Sequence, residues 1–218
     1  MNVLLVNGSP NQEGCTFTAL IEVAKVLNEE GIDTSFFHLG VKPVYGCTAC
    51  GKCGETKRCV FESDRVNVLI EGMAKADGIV IGSPVYYAGA NGALCALLDR
   101  AFFFKNDQYA FKPAAAVVSC RRGGAGSAFD RLNKYFSISR MPIVSGRYWN
   151  GVHGTTPEEV RQDREGMQQM RTIGKNMAWL IKSIKKAAIP PPVIEPWERM
   201  DFHHEGGGGF DHDAGAME

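Results

Sequence analysis

Residues 2–16 read NVLLVNGSPNQEGCT: a short apolar run, a glycine, then a polar loop that opens into helical spacing. An apolar run without polar alternation is the pattern of a strand buried on both faces. From Thr16, the apolar positions Phe17, Leu20, Ile21, Ala24 and Leu27 recur every three to four residues, and Gly31 closes the helix. The same alternation runs outward along the chain. Strands are expected at 34–39, 78–83 (GIVIGS), 114–119 (AAAVVS) and, short, at 141–145. Helices are expected at about 65–76, 91–104 and 125–138, with one long helix over 157–187.

Strands that alternate with helices imply a parallel sheet covered on both faces. Right-handed crossovers leave few topologies for five such units. The first turn lacks G-x-G-x-x-G, so the expected fold is α/β, a flavodoxin-like three-layer sandwich with a five-stranded parallel sheet of order 2-1-3-4-5. Residues 1–188 form the expected domain, with a cysteine segment at 47–59 inserted in it. Residues 189–218 are a Pro/Gly-rich tail, read as partly flexible because its glycine run cannot pack a core. In that tail Trp197 and Phe202 can dock on the domain or a neighbouring subunit, and His203, His204 and His212 can bind a metal adventitiously.

The 218 residues carry 24 Lys+Arg against 24 Asp+Glu. Without a basic surplus there is no electrostatic case for nucleic acid or an anionic membrane as partner. No apolar stretch approaches the roughly 18 residues of a membrane helix, and MNVLLVNGSP has no basic leader. A cytoplasmic protein is expected. Seven cysteines, four of them between Cys47 and Cys59, do not resemble an extracellular disulfide framework; in a reducing compartment, clustered thiols are metal ligands or redox groups.

Three glycine-bearing loops follow strands one, three and four, where an open α/β sheet has its ligand crevice. In the first, a helix N-terminus offers N–H groups to an anion, and Ser9, Thr16 and Thr18 add hydroxyls. The loop contains no lysine, as a triphosphate loop requires, and no arginine near Cys15, as a thiol phosphatase would. One terminal phosphate suits it; an ordinary helix start without ligand is the alternative. Cys15 is read as a packing residue. The second loop, GSPVYYAGANG (82–92), presents Tyr86 and Tyr87 on a bare backbone suited to a planar ligand. The third, SCRRGG (119–124), places Arg121 or Arg122 beside such a ring.

GSPNQEGCT, GSPVYYAGANGALCALLDR and SCRRGG together resemble the NADPH-dependent FMN reductase family, over roughly residues 1–185. The resemblance implies a flavoprotein that binds FMN and forms dimers or tetramers. It places Ser9, Asn11, Cys15 and Thr16 at the FMN phosphate. Pro84, Val85, Tyr86, Tyr87, Ala88 and Gly89 fall along the isoalloxazine, and Ser119, Arg121, Arg122 and Gly123 in the third loop. Many relatives have arginine where this chain has Asn11, so one phosphate-neutralising charge is missing or comes from elsewhere.

Cys47, Cys50, Cys53 and Cys59 give C-x2-C-x2-C-x5-C, close to the bacterial ferredoxin run but with a longer last gap and Val60 in place of proline. A structural zinc more often uses two separated pairs. The readings are a [4Fe–4S] cluster, zinc or redox thiols, and a reduced, empty set. The spacing also resembles the iron–sulfur flavoproteins, a branch of the same family that pairs FMN with [4Fe–4S] in a homo-oligomer. Cys95 and Cys120 are read as core residues.

The expected function is an FMN-dependent oxidoreductase, with NAD(P)H as hydride donor and a quinone, a flavin or an Fe–S centre as acceptor. The cofactor carries the chemistry, so no catalytic side chain is assigned. The alternative is an electron carrier fed by a ferredoxin-like donor; a zinc-stapled, flavin-binding interaction module is a third reading. Phe102, Phe103 and Phe104 exceed what one helical face buries, which points to a subunit contact or to burial under the C-terminal helix.

Overall fold

A computed structural model describes residues 1–103, 106–193 and 195. Phe104 and the tail residues Trp197, Phe202, His203, His204 and His212 lie outside the described residues. In chain order the elements are β1 (Asn2–Asn7), α1 (Cys15–Glu29), β2 (Asp33–His38), α2 (Cys53–Thr56), α3 (Val66–Lys75), β3 (Gly78–Tyr86) and β4 (Gly89–Ala90). There follow α4 (Gly92–Phe103), α5 (Asn106–Tyr109), β5 (Ala114–Cys120), α6 (Ala125–Ile138), β6 (Gly151–His153), α7 (Pro157–Gln162) and α8 (Arg164–Ala187).

The main sheet is parallel, ordered β2-β1-β3-β5-β6, with β4 paired antiparallel to β3. This is the expected 2-1-3-4-5 order with a small hairpin added. Because side chains alternate across a strand, each apolar run feeds two cores. Leu4, Val6, Ile79, Ile81, Ala114 and Ala116 pack under α3, α4 and α6; Val3, Leu5, Val80, Ala115 and Val117 pack under α1 and α8. Loops at the strands' carboxyl ends are thus all held at one edge.

Two expectations are corrected. The strand beside β5 is 151–153, not 141–145. Within 141–145 only Ile143 bridges Ala114, through Ala114 N to Pro142 O (2.9 Å) and Val144 N to Ala114 O (2.7 Å); Gly146 N then turns to Asn150 Oδ1 (2.9 Å) instead of continuing the ladder. Asn150 closes that excursion, donating from Nδ2 to the carbonyls of Ala116 (3.0 Å) and Val144 (3.3 Å). The long helix expected over 157–187 is two helices. Asp163 leaves helical geometry (φ −70°, ψ 82°), caps α8 by accepting from Gly166 N at 2.9 Å, and accepts from His153 N at 2.7 Å. A capping carboxylate tied to β6 outweighs continued helical propensity.

Phe102 is buried, but against Tyr109, Tyr135 and Phe136 rather than under α8. Phe103 is exposed. Among the described residues no helix is long and apolar enough to cross a membrane.

Candidate functional site

The first loop is built on Asn7, the last residue of β1 and almost wholly buried. Its Nδ2 donates to Gln12 O at 3.1 Å and lies 3.2 Å from His38 Nδ1, while its Oδ1 accepts from Ser9 N at 3.1 Å. Ser9 Oγ in turn accepts from Asn11 N at 3.1 Å, which leaves the hydroxyl proton available. The loop ends at Gly14, where no side chain caps α1 and no acidic residue occupies the first turn. An uncapped, acid-free helix start keeps its N–H groups for an anion. Thr16 points inward: its Oγ1 shares a 2.8 Å hydrogen bond with Ser119 Oγ at the end of β5. Thr18 does not face the crevice and returns its hydroxyl to Gly14 O (3.1 Å).

The second loop is a tight hairpin in which Val85 pairs with Ala90 and Tyr86 with Gly89. Tyr87 and Ala88 form its two-residue turn with φ of 49° and 59°, the left-handed pair that such turns demand and that asparagine and glycine ordinarily supply. The turn holds the Tyr87 side chain fully in solvent and leaves Tyr86 about half exposed. Asn91 then staples the loops. Its backbone N–H donates to Ser83 Oγ (2.9 Å), its Nδ2 donates to Gly8 O (2.8 Å), and its Oδ1 caps α4 by accepting from Ala93 N (3.0 Å).

The third loop closes against the hairpin at Gly124, whose φ is 86° and where a Cβ would come within 2.6 Å of Ala88 Cα. No side chain fits there. Arg121, Arg122 and Gly123 are exposed, and neither arginine forms an ion pair among the described residues. Cys15 is half-buried and donates to Gly154 O at 3.8 Å; burial pushes its thiol pKa up, so it packs as a neutral thiol. Of the residues singled out in the sequence, Ser9, Thr16 and Ser119 are buried, whereas Asn11, Tyr87, Arg121 and Arg122 are solvent-exposed. Asn7 and Asn91 escaped notice, although Asn91 bears the readable signal of an amide side chain just before a helix.

The cysteine segment packs beside α3 and α4. All seven cysteines are free, and Cys47, Cys50, Cys53 and Cys59 line one small pocket that opens to solvent. Burial pushes the Cys53 thiol up, its own backbone amide draws it partly back, and the neighbouring thiols of Cys50, Cys47 and Cys59 push it up further. Among the described residues, no group of three or more His, Cys, Asp or Glu side chains is drawn together as a ready-made metal site. The four cysteines thus line one pocket without being closed into ligand geometry. Cys59 is the best anchored: Asn67 of α3 accepts from its N–H (2.9 Å) and donates to its carbonyl (3.0 Å). Cys120 is buried and Cys95 half-buried, as their apolar surroundings imply.

A parallel sheet ordered this way, with three loops hydrogen-bonded together at its carboxyl edge and an uncapped helix start among them, defines a flavodoxin-like protein. A flavodoxin from the domain Archaea has the same architecture, with a TM-score of 0.58 at 14% identity over 84% of this chain and 99% of that one. RosB, in a structure with bound 8-demethyl-8-formylriboflavin-5′-phosphate, gives a TM-score of 0.65 at 14% identity, covering 100% of this chain and 98% of that one. The chain belongs to the NADPH-dependent FMN reductase family, whose profile it matches over residues 1–156. Among its relatives is an iron–sulfur flavoprotein of Methanocaldococcus jannaschii, 32% identical over 197 residues, which cover 85% of this chain and 100% of that protein. Family membership supports a flavin-dependent redox function with FMN as the flavin.

Proposed function

We propose that the three-loop crevice binds FMN and that the protein is an oxidoreductase taking hydride from NAD(P)H. The observation that carries this reading is the hydrogen-bonded convergence of the loops through Thr16–Ser119 and Asn91–Gly8, in a chain of the FMN reductase family. The α1 N-terminus with Ser9, Asn11, Cys15 and Thr16 holds the phosphate. Backbone N–H groups and hydroxyls replace the arginine that many relatives carry at the position of Asn11, as suits one phosphate at a helix start. The segment Pro84–Gly89 lies along the ring system, with Tyr86 and Tyr87 as aromatic surface. Ser119, Gly123, Arg121 and Arg122 close its other side, where positive charge favours an anionic reduced ring. FMN held there would supply the hydride-accepting ring and the means to deliver electrons to a small-molecule acceptor or a redox protein. The chain itself binds, orients and supplies charge; no side chain is assigned as acid or base.

The four thiols fit a metal–sulfur group by the chemistry of the donor set: four cysteines lining one pocket and a buried guanidinium beside them. Cys47, Cys50, Cys53 and Cys59 would hold [4Fe–4S], adding a one-electron carrier beside the flavin. The pocket favours a second reading, an electron carrier that exchanges electrons with a ferredoxin-like protein and does not turn over NAD(P)H. A homodimer or homotetramer in the cytoplasm completes the proposal.

The test is anaerobic purification with flavin, iron, acid-labile sulfide and zinc measured per chain, followed by steady-state NAD(P)H oxidation. One FMN, about four iron and four sulfide, and turnover with a quinone or flavin are expected. Absence of flavin overturns the crevice assignment. FMN with iron but negligible NAD(P)H oxidation selects the carrier.

A further inference from the structure

We propose that Arg100 is a positioning residue of the four-cysteine pocket, raising the reduction potential of the metal–sulfur group held there. The inference rests on the reading of Cys47, Cys50, Cys53 and Cys59 as ligands. Arg100 lies on α4 with its side chain 2% exposed, paired to an equally buried Asp64. Desolvation offsets the attraction of such a buried pair, which makes it weak evidence for stability, so its orientation carries the information. Asp64 stands behind the guanidinium: it accepts from Arg100 Nη2, from Tyr45 N (3.2 Å) and from Val66 N (3.2 Å). It is not on the pocket wall. Arg100 is, and among the described lining residues it is the one charged side chain.

Three features direct the cation at sulfur. Nη1 donates to Cys59 Sγ at 3.6 Å. Nε is buried without a hydrogen-bond partner among the described residues, a donor left over where native structures rarely leave one. The guanidinium carbon lies 5.7 Å from the Phe61 ring centroid, and Phe61 is stacked on Tyr45 at 4.9 Å, which fixes the fork in place. A metal–sulfur group becomes more negative by one charge when it takes one electron. A hydrogen bond and a cation at its ligand sulfur stabilise that reduced form more than the oxidised one. Arg100 transfers neither proton nor electron.

The test uses the anaerobically purified holoprotein, with iron and sulfide counted and the metal group's midpoint measured by potentiometric titration. Two variants are compared with the wild type. Arg100→Gln combined with Asp64→Asn removes both buried charges while keeping polar shape, and Arg100→Lys keeps the cation but loses the fork. In the double variant the reduced-to-oxidised ratio at fixed potential is expected to fall at least tenfold, about 59 mV for one electron, with Arg100→Lys in between. Full metal loading at an unchanged midpoint overturns the proposal. So does loss of metal from Arg100→Lys together with the double variant, which would make the role structural. A double variant that fails to load leaves Arg100→Lys to decide by its midpoint. A wild type without iron or sulfide overturns the ligand reading itself, and is distinguished because it appears before any variant is made.

Discussion

At the scale of single residues, buried amide side chains do more to build the crevice than the hydroxyls that first draw the eye. Asn91 is 7% exposed and ties the first loop, the second loop and the start of α4 together. Truncating it strands Gly8 O and removes the α4 cap, while the backbone N–H keeps its bond to Ser83 Oγ. Asn91→Ala is therefore expected to cost about 2 kcal/mol of stability and to lower flavin content, read by thermal melting and by absorbance per chain. His38 gives a pH dependence. Burial lowers its pKa below the ordinary histidine value, with the Arg65 charge acting the same way, and its Nδ1 sits against the Asn7 amide. In the unfolded chain His38 takes its proton at higher pH than in the folded one. Stability therefore falls on acidification through the ordinary histidine range and is flat above it. Melting curves from about pH 5 to 7.5 should show that slope, and His38→Gln should flatten it.

Elements are set by short polar devices placed where propensity alone would mislead. The β3–β4 turn puts Tyr87 and Ala88 in left-handed conformations that cost L-residues about 1–2 kcal/mol each, a strain characteristic of functional loops. Ala88→Gly should relieve part of it, raising stability by about 1 kcal/mol in denaturant melts. Gly124→Ala should do the reverse, since its Cβ would strike Ala88. Asp163 divides what periodicity reads as one helix, and its two oxygens serve Gly166 N and His153 N. Asp163→Ala is expected to cost about 1–2 kcal/mol and to loosen β6, seen as faster amide exchange at His153.

For the molecule as a whole, the two cores divide the work. The face packed by α1 and α8 is sealed by close approach, as at Gly174, where a Cβ would lie 2.8 Å from Val26 Cβ. The opposite side carries the cysteine pocket, with exposed Phe103 on its wall. Tyr148 and Trp149 are also exposed, near the end of β5. Large apolar side chains in solvent around a binding edge are the pattern of a subunit contact. At micromolar concentration the protein is expected to elute at two or four times the chain mass; a monomer would remove that interface.

The order of strands and helices was legible in the sequence because each strand of a doubly covered sheet must be apolar on both faces, and each helix on one. The three loops were legible because glycine, proline and hydroxyl residues punctuate the ends of those strands. Membership of a flavin-binding family was legible in the same segments. What the tertiary structure alone decided depends on partners far away in the chain. Asn150, which donates to Ala116 O and accepts from Gly146 N, moves the fifth strand to 151–153, because a strand exists only where a neighbour's ladder receives it. Thr16 finds Ser119, and Asn91 finds Gly8, across crossovers that no local pattern encodes. Arg100 reads locally as a charge on an apolar helix. Only packing turns it toward Cys59, since the direction of a buried charge is set by the groups that surround it.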